Sequence, residues 1–151
     1  MRVLLQRVSR GSVRVAGETI GSVDQGFVAL VGVTQGDTVA EAELLARKTA
    51  HLRVFEDAQG KMNHSVLEVG GGVLVISQFT LYADTRKGRR PSFLDAAPPD
   101  IASPLVDHYA ERLRVEGITR IEQGRFGAMM QVEIHNDGPT TILLDTAEWS
   151  G

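Results

Sequence analysis

"RVLLQRVSRGSVRVAGETIGSVDQGFVALVGV", residues 2–33, decides the fold. It contains the apolar or alternating runs VLLQRV, SVRVAG, ETIGSV and FVALVGV, with glycine at the later breaks. Connections this short join antiparallel strands, because a parallel crossover needs about a dozen residues or more. The last run is different in kind. Phe27 to Val31 are apolar without interruption, so this strand is expected to be covered on both faces.

Beyond residue 33 the same logic continues. GGVLVISQFTL (71–81) predicts a long strand leaving the three glycines at 70–72. Val132 and Ile134 alternate with polar neighbours in QVEIHN, as in a half-buried strand, and TTILLD (140–145) reads as its partner. Two segments have helical spacing. In the first, Thr38 and Glu41 form a capping-box signature, and Ala42, Leu45, Ala46 and Thr49 fall on one face. In the second, Ser103 is the expected N-cap and Pro104 the first helical residue. Val106, Tyr109, Ala110 and Leu113 form its apolar stripe, and Gly117 is its stop. DAAPPDIASP (95–104) reads as a loop too short to divide domains. The expectation is a single domain, 1–151, of α/β (α+β) class. It has about eight strands in a curved, mainly antiparallel sheet or open barrel, and two main helices. Two helices cannot cover both faces of so much sheet, so a symmetric homodimer is expected to cover the rest.

Composition narrows the chemistry. The chain has no cysteine, which removes disulfides and thiolate catalysis and fits a reducing compartment. No apolar run approaches the roughly 20 residues of a membrane span, and the first residues lack a signal-peptide core. A cytoplasmic location is expected. The net charge of -3 is unlike a general nucleic-acid binder, but the positive charge is local. Arg2, Arg7, Arg10 and Arg14 occur with no acid among residues 1–14, and TRKGRR gathers Arg86, Lys87, Arg89 and Arg90. These are either solvated surface or a phosphate-binding patch. His51, His64, His108 and His135 show no metal-ligand spacing, and P-loop, dinucleotide and GxSxG patterns are absent.

Two hydroxyl-rich stretches remain. In SQFTLYADT, a strand over 73–80 would point Ser77 and Phe79 one way and Gln78 and Thr80 the other. Such a strand end either faces water or forms the floor of a phosphate-bearing substrate's site. RRPSF (89–93) turns at Pro91 and returns Phe93 toward apolar surroundings. In HNDGPTTILLD (135–145), an Asp137-Gly138 turn would have to close on the N–H of Pro139, which does not exist. The turn can shift back onto Asn136-Asp137, or Gly138-Pro139 can be cis. Only about 5–6% of X-Pro bonds in folded proteins are cis, so the local sequence argues for trans.

SQFTL (77–81) together with NDGPTT (136–141) resembles the motif pair of the D-aminoacyl-tRNA deacylases. MRVLLQRVSRGSV and RRPSF are similar to that family too, and the likeness covers essentially the whole chain. The resemblance implies hydrolysis of the ester between a D-amino acid, or misplaced glycine, and the terminal adenosine of tRNA. It implies a homodimer with active sites at the interface, and no metal or cofactor. It makes Gly138-Pro139 a cis pair inserted into the partner's pocket, where it rejects L side chains, and gives Arg7 the task of holding that loop. Asn136, Thr141 and Phe93 join these in substrate binding and chiral selection. Ser77, Gln78, Phe79 and Thr80 become the catalytic stretch, with backbone N–H groups near Phe79 and Thr80 receiving the oxyanion. Thr80 as nucleophile is the weaker idea, since no base stands beside it in sequence, and assistance by the ribose 2′-hydroxyl is the stronger. Arg86, Lys87, Arg89 and Arg90 are the tRNA-binding candidates. Two rivals are a non-catalytic tRNA-binding dimer and an esterase of small metabolites.

Overall fold

A computed structural model describes residues 1–149. Its spine is one long strand, β1 (Arg2–Val15), which runs through Gly11 and joins two of the predicted runs. On one side, residues 2–8 pair antiparallel with β3 (Gly26–Gly32), and residues 11–15 pair antiparallel with β2 (Glu18–Val23). On the other side β1 pairs antiparallel with β8 (Gln131–Asp145). Then the direction changes. β3 pairs parallel with β6 (Gly72–Ser77), and β6 pairs parallel with β7 (Ile121–Gln123). Each parallel step has a helix in its crossover, as chain geometry requires: α1 (Val39–His51) precedes β6 and α2 (Pro99–Glu116) precedes β7. β4 (Phe55–Glu56) and β5 (Met62–His64) form a small separate hairpin. The six-stranded sheet curls until β7 approaches β2, where the Arg120 guanidinium donates to the Ser22 carbonyl at 2.9 and 3.2 Å. The result is the expected mixed fold, a nearly closed curved sheet with two helices.

The period of two along the strands builds two cores. Val3, Leu5, Phe27, Ala29, Val31, Val73 and Val75 pack beneath the helices. Val8, Val13, Val23, Val28, Leu74 and Ile76 fill the concave side, with Val132 and Ile134 against them. Phe27–Val31 is thus covered on both faces, as its unbroken apolar run predicts. The α1 stripe is buried and its capping box is formed. Val106, Tyr109, Ala110 and Leu113 are buried on α2, which stops at Gly117 with φ +114°. Thr49 and Tyr109, both buried, share a hydrogen bond of 2.9 Å that joins the helices.

Three expectations change. α2 begins at Pro99 with Pro98 as its cap, so six of the ten residues of DAAPPDIASP are helical and Pro104 lies inside. Pro99 fits the first helical position, where its fixed φ suits the helix and its missing N–H is not needed. The strand predicted through residue 80 ends at Ser77, and Phe79–Tyr82 form a 3-10 turn. Finally, QVEIHN and TTILLD are not partners of each other. They are two halves of β8, both paired with β1, and the chain does not reverse between them.

Candidate active site

The parallel strands β3 and β6 end at a cleft of about 590 Å³. Its walls are mostly apolar and include Val31, Ile76, Ala102, Val106, Met130 and Val132. At the rim stand Ser77, Gln78 and Phe79, with Phe93 opposite. The Phe79 and Phe93 rings meet edge to face, 4.9 Å apart. Phe93 is carried there by the loop after β6, whose ends are pinned by paired backbone hydrogen bonds between Asp84 and Ser92 of 2.8 and 2.9 Å. The other wall, Phe126 to Met130, escaped the sequence reading. Its only signal is Phe126, Met129 and Met130 grouped in a loop rather than in an element that needs them as core.

The Ser77–Thr80 stretch leaves the sheet sharply. Gln78 makes the last bond to β3, donating its N–H to the Val31 carbonyl at 2.7 Å. Leu81 N–H then turns back to the Gln78 carbonyl at 3.2 Å. Gly32 makes this turn possible. A Cβ at Gly32 would lie 3.0 Å from Leu81 Cβ and 3.1 Å from the Gln78 carbonyl oxygen. The Thr80 hydroxyl accepts a hydrogen bond from the Gln78 amide at 2.5 Å, so its neighbour is a donor and not a base. The amides of Phe79 and Thr80 open the turn, where no earlier carbonyl of that turn can receive them.

A second group forms at the bulge of β8. Gln6 faces Thr141 and Val8 faces Asn136, so Asp137 to Thr140 arch out opposite Arg7 alone. Gly138-Pro139 is cis, against the local expectation and as the resemblance implies. Both residues are exposed. Arg7 is no surface arginine, being only 5% exposed. Its guanidinium donates to the carbonyls of Val54 at 2.6 Å and Asp137 at 3.3 Å, and lies near the carboxylates of Asp137 and Glu56 at 3.5 and 3.9 Å. The Asn136 amide donates to the carbonyls of Arg7 and Thr140, both at 2.9 Å, and its oxygen accepts from the Thr141 hydroxyl at 3.3 Å. Asn136 therefore ties the base of the arch. Within one chain, Ser77, Gln78, Phe79 and Phe93 come together at the cleft, and Arg7, Asn136, Gly138, Pro139 and Thr141 come together at the bulge. The bulge residues do not line the cleft of their own chain.

The cations divide too. Arg86 is bound bidentately to Asp84 at 2.9 and 2.7 Å, and these bonds hold the Asp84 carboxyl down to about 2. Among the described residues Lys87, Arg89 and Arg90 form no ion pair, and all three are exposed. Of the first four arginines, Arg2 and Arg7 are engaged with protein partners rather than free for phosphate. Each of the four histidines stands beside a glutamate.

Known proteins share this fold. The family model described as D-Tyr-tRNA(Tyr) deacylase matches residues 4–145. A D-aminoacyl-tRNA deacylase of Thermomicrobium roseum is 62% identical over all of this chain and 97% of its own length. One of Roseiflexus sp. (strain RS-1) is 59% identical over 97% of this chain and 94% of its own. Among solved structures, one titled c-Myc DNA Unwinding Element Binding Protein superposes with TM-score 0.90 at 42% identity, covering 96% of this chain and 98% of that one. A probable eukaryotic D-amino acid tRNA deacylase, at 18% identity and TM-score 0.83, shares the fold over 95% of this chain and 97% of its own. Together these define the class, a hydrolase of the ester bond in aminoacyl-tRNA. The chain belongs to the D-Tyr-tRNA(Tyr) deacylase family, and its activity is that of a D-aminoacyl-tRNA deacylase.

Proposed function

We propose that the enzyme selects its substrate by chirality, using the cis Gly138-Pro139 arch of one subunit in the cleft of a second. The observation that carries this is the arch itself: Gly138 and Pro139, both exposed, held outward by a buried arginine and tied at the base by Asn136. A rigid backbone wall rejects an L side chain by collision and leaves room for hydrogen or a D side chain, so selectivity comes from exclusion. Glycyl-tRNA then passes as substrate, since a wall that only excludes cannot act on a missing side chain. A homodimer is part of this proposal, because the arch stands apart from its own cleft.

In the cleft, the ester carbonyl lies against the Ser77–Thr80 stretch. The amides of Phe79 and Thr80 receive the developing oxyanion, an interaction worth about 3 kcal/mol per donor in comparable sites. Ser77 and Gln78 orient the terminal ribose, and the ribose 2′-hydroxyl assists the attacking water. Thr80 is not the nucleophile in this mechanism, since its hydroxyl neighbour is the Gln78 amide. Lys87, Arg89 and Arg90, with a lesser share from Arg86, contact phosphates. The experiment is hydrolysis of D-tyrosyl-tRNA, L-tyrosyl-tRNA and glycyl-tRNA by purified protein. Release from the D and glycyl esters with the L ester spared is expected. Equal rates on D and L would remove the chirality mechanism, and equal turnover of D-tyrosine esters lacking RNA would point to a small-molecule esterase.

A further inference from the structure

The catalytic stretch runs off the end of β6 after Ser77, and Phe79 and Thr80 are exposed. A segment so placed needs an anchor if its atoms are to meet the substrate at fixed positions. The anchor comes from the first residue of β1. Arg2 Nη1 donates to the Leu81 carbonyl at 2.7 Å, one residue beyond Thr80. Arg2 Nε donates to Asp145 Oδ2 at 2.8 Å. The guanidinium carbon sits 4.5 Å from the centre of the Tyr82 ring. One planar group thus holds a backbone carbonyl, a carboxylate and an aromatic face at once. Asp145 is buried at the end of β8, and its other oxygen accepts the Ala147 N–H at 3.0 Å. The turn also packs against Gly32, the β3 residue paired with Arg2, with no space to spare.

We propose that Arg2, held by Asp145, is a positioning residue for ester hydrolysis: it fixes the Phe79–Tyr82 turn and through it the Ser77–Thr80 stretch at the cleft. This rests on that stretch being catalytic. Arg2 reaches no substrate; it acts by locking the turn that does. Lysine keeps the charge but not the planar fork, so it cannot hold Leu81 and Asp145 in the same geometry.

The test uses the full chain and D-tyrosyl-tRNA, with kcat and KM measured separately and amide exchange followed at Leu81 and Ala83. Arg2→Met is expected to lower kcat by about ten- to a hundredfold, the range in which small misplacements act. KM should stay within about twofold, since binding is carried elsewhere. Arg2→Lys and Asp145→Asn should fall between, and the Leu81 and Ala83 amides should exchange faster while that of Val75 does not. If Arg2→Met does not fold, Arg2→Lys carries the test. Wild-type kcat in the folded Arg2 variants, with only the melting temperature lowered, would overturn the proposal. Phe79→Asp and Gln78→Ala separate it from the site reading beneath it. If they reduce kcat and the Arg2 variants do not, Arg2 alone loses its role. If they leave kcat intact, the site reading fails, and the Arg2 proposal fails with it.

Discussion

Gly138 has φ +120°, a region L side chains rarely occupy. Space is lacking as well as conformation. A Cβ would lie 2.7 Å from Thr140 Oγ1, 3.1 Å from the Thr140 nitrogen and 3.1 Å from Arg7 Nη2. Gly138→Ala should therefore cost about 1–3 kcal/mol in urea unfolding. The same change pushes on Arg7 and tilts the arch, so the ratio of D- to L-tyrosyl-tRNA hydrolysis should fall. A destabilised variant of unchanged selectivity would make the arch scaffolding only. The burial of Arg7 has its own logic. A desolvated guanidinium is costly unless its donors are met, and here two carbonyls and two carboxylates surround it. The first-strand arginines were visible in the sequence, but nothing local distinguishes Arg7, facing a bulge about 130 residues away, from Arg10, which is exposed.

At the scale of elements, the loop from Asp84 to Ser92 gives four cations unequal tasks. Arg86 is committed to Asp84, whereas Lys87, Arg89 and Arg90 project from a loop whose base is closed beside the cleft rim. Replacing any of these three with glutamine should weaken tRNA binding and lower the slope of log affinity against log salt by roughly 0.7–0.9 for each phosphate no longer neutralised. Arg86→Gln should change the slope less. Equal effects at all four, or none, would count against this division. Fluorescence anisotropy between about 50 and 200 mM salt measures it. What the sequence revealed of the elements follows the range of the forces involved. The α1 stripe and its Thr38–Glu41 cap are local, and both were legible. So was the doubly covered β3, whose apolar run is its own signature. The end of β6 at Ser77 was not, because the Phe79–Tyr82 turn is set by Gly32 and Arg2, distant in sequence. Nor was the unity of β8, since its two halves are aligned by β1 and not by each other. The motif pair was found by resemblance, while the Phe126–Met130 wall has no period or cap to announce it.

At the scale of the molecule, the cleft mouth is apolar and uncovered. Phe79 is 56% exposed, Phe126 37% and Met129 93%, in a chain whose other large apolar side chains mostly fill two cores. An exposed apolar rim of this kind marks a surface suited to a substrate or a second subunit. The arch and the cleft, each built within one chain yet apart from each other, give this a decisive form. Take one variant with a disabled cleft, Phe79→Asp, and another with a distorted arch, Gly138→Ala. If arches act across subunits, a mixed dimer contains one site made of an intact cleft and an intact arch. After unfolding and refolding the two together in equal amounts, about a quarter of all sites are intact by random pairing. The ratio of D- to L-tyrosyl-tRNA hydrolysis should then exceed that of the pooled, separately refolded variants, because half of the intact clefts gain an intact arch. If each arch serves its own chain, every site in the mixture carries one defect and no excess appears. The comparison holds whatever the rate-limiting step, because both variants are present in the mixture and in the controls at the same concentration.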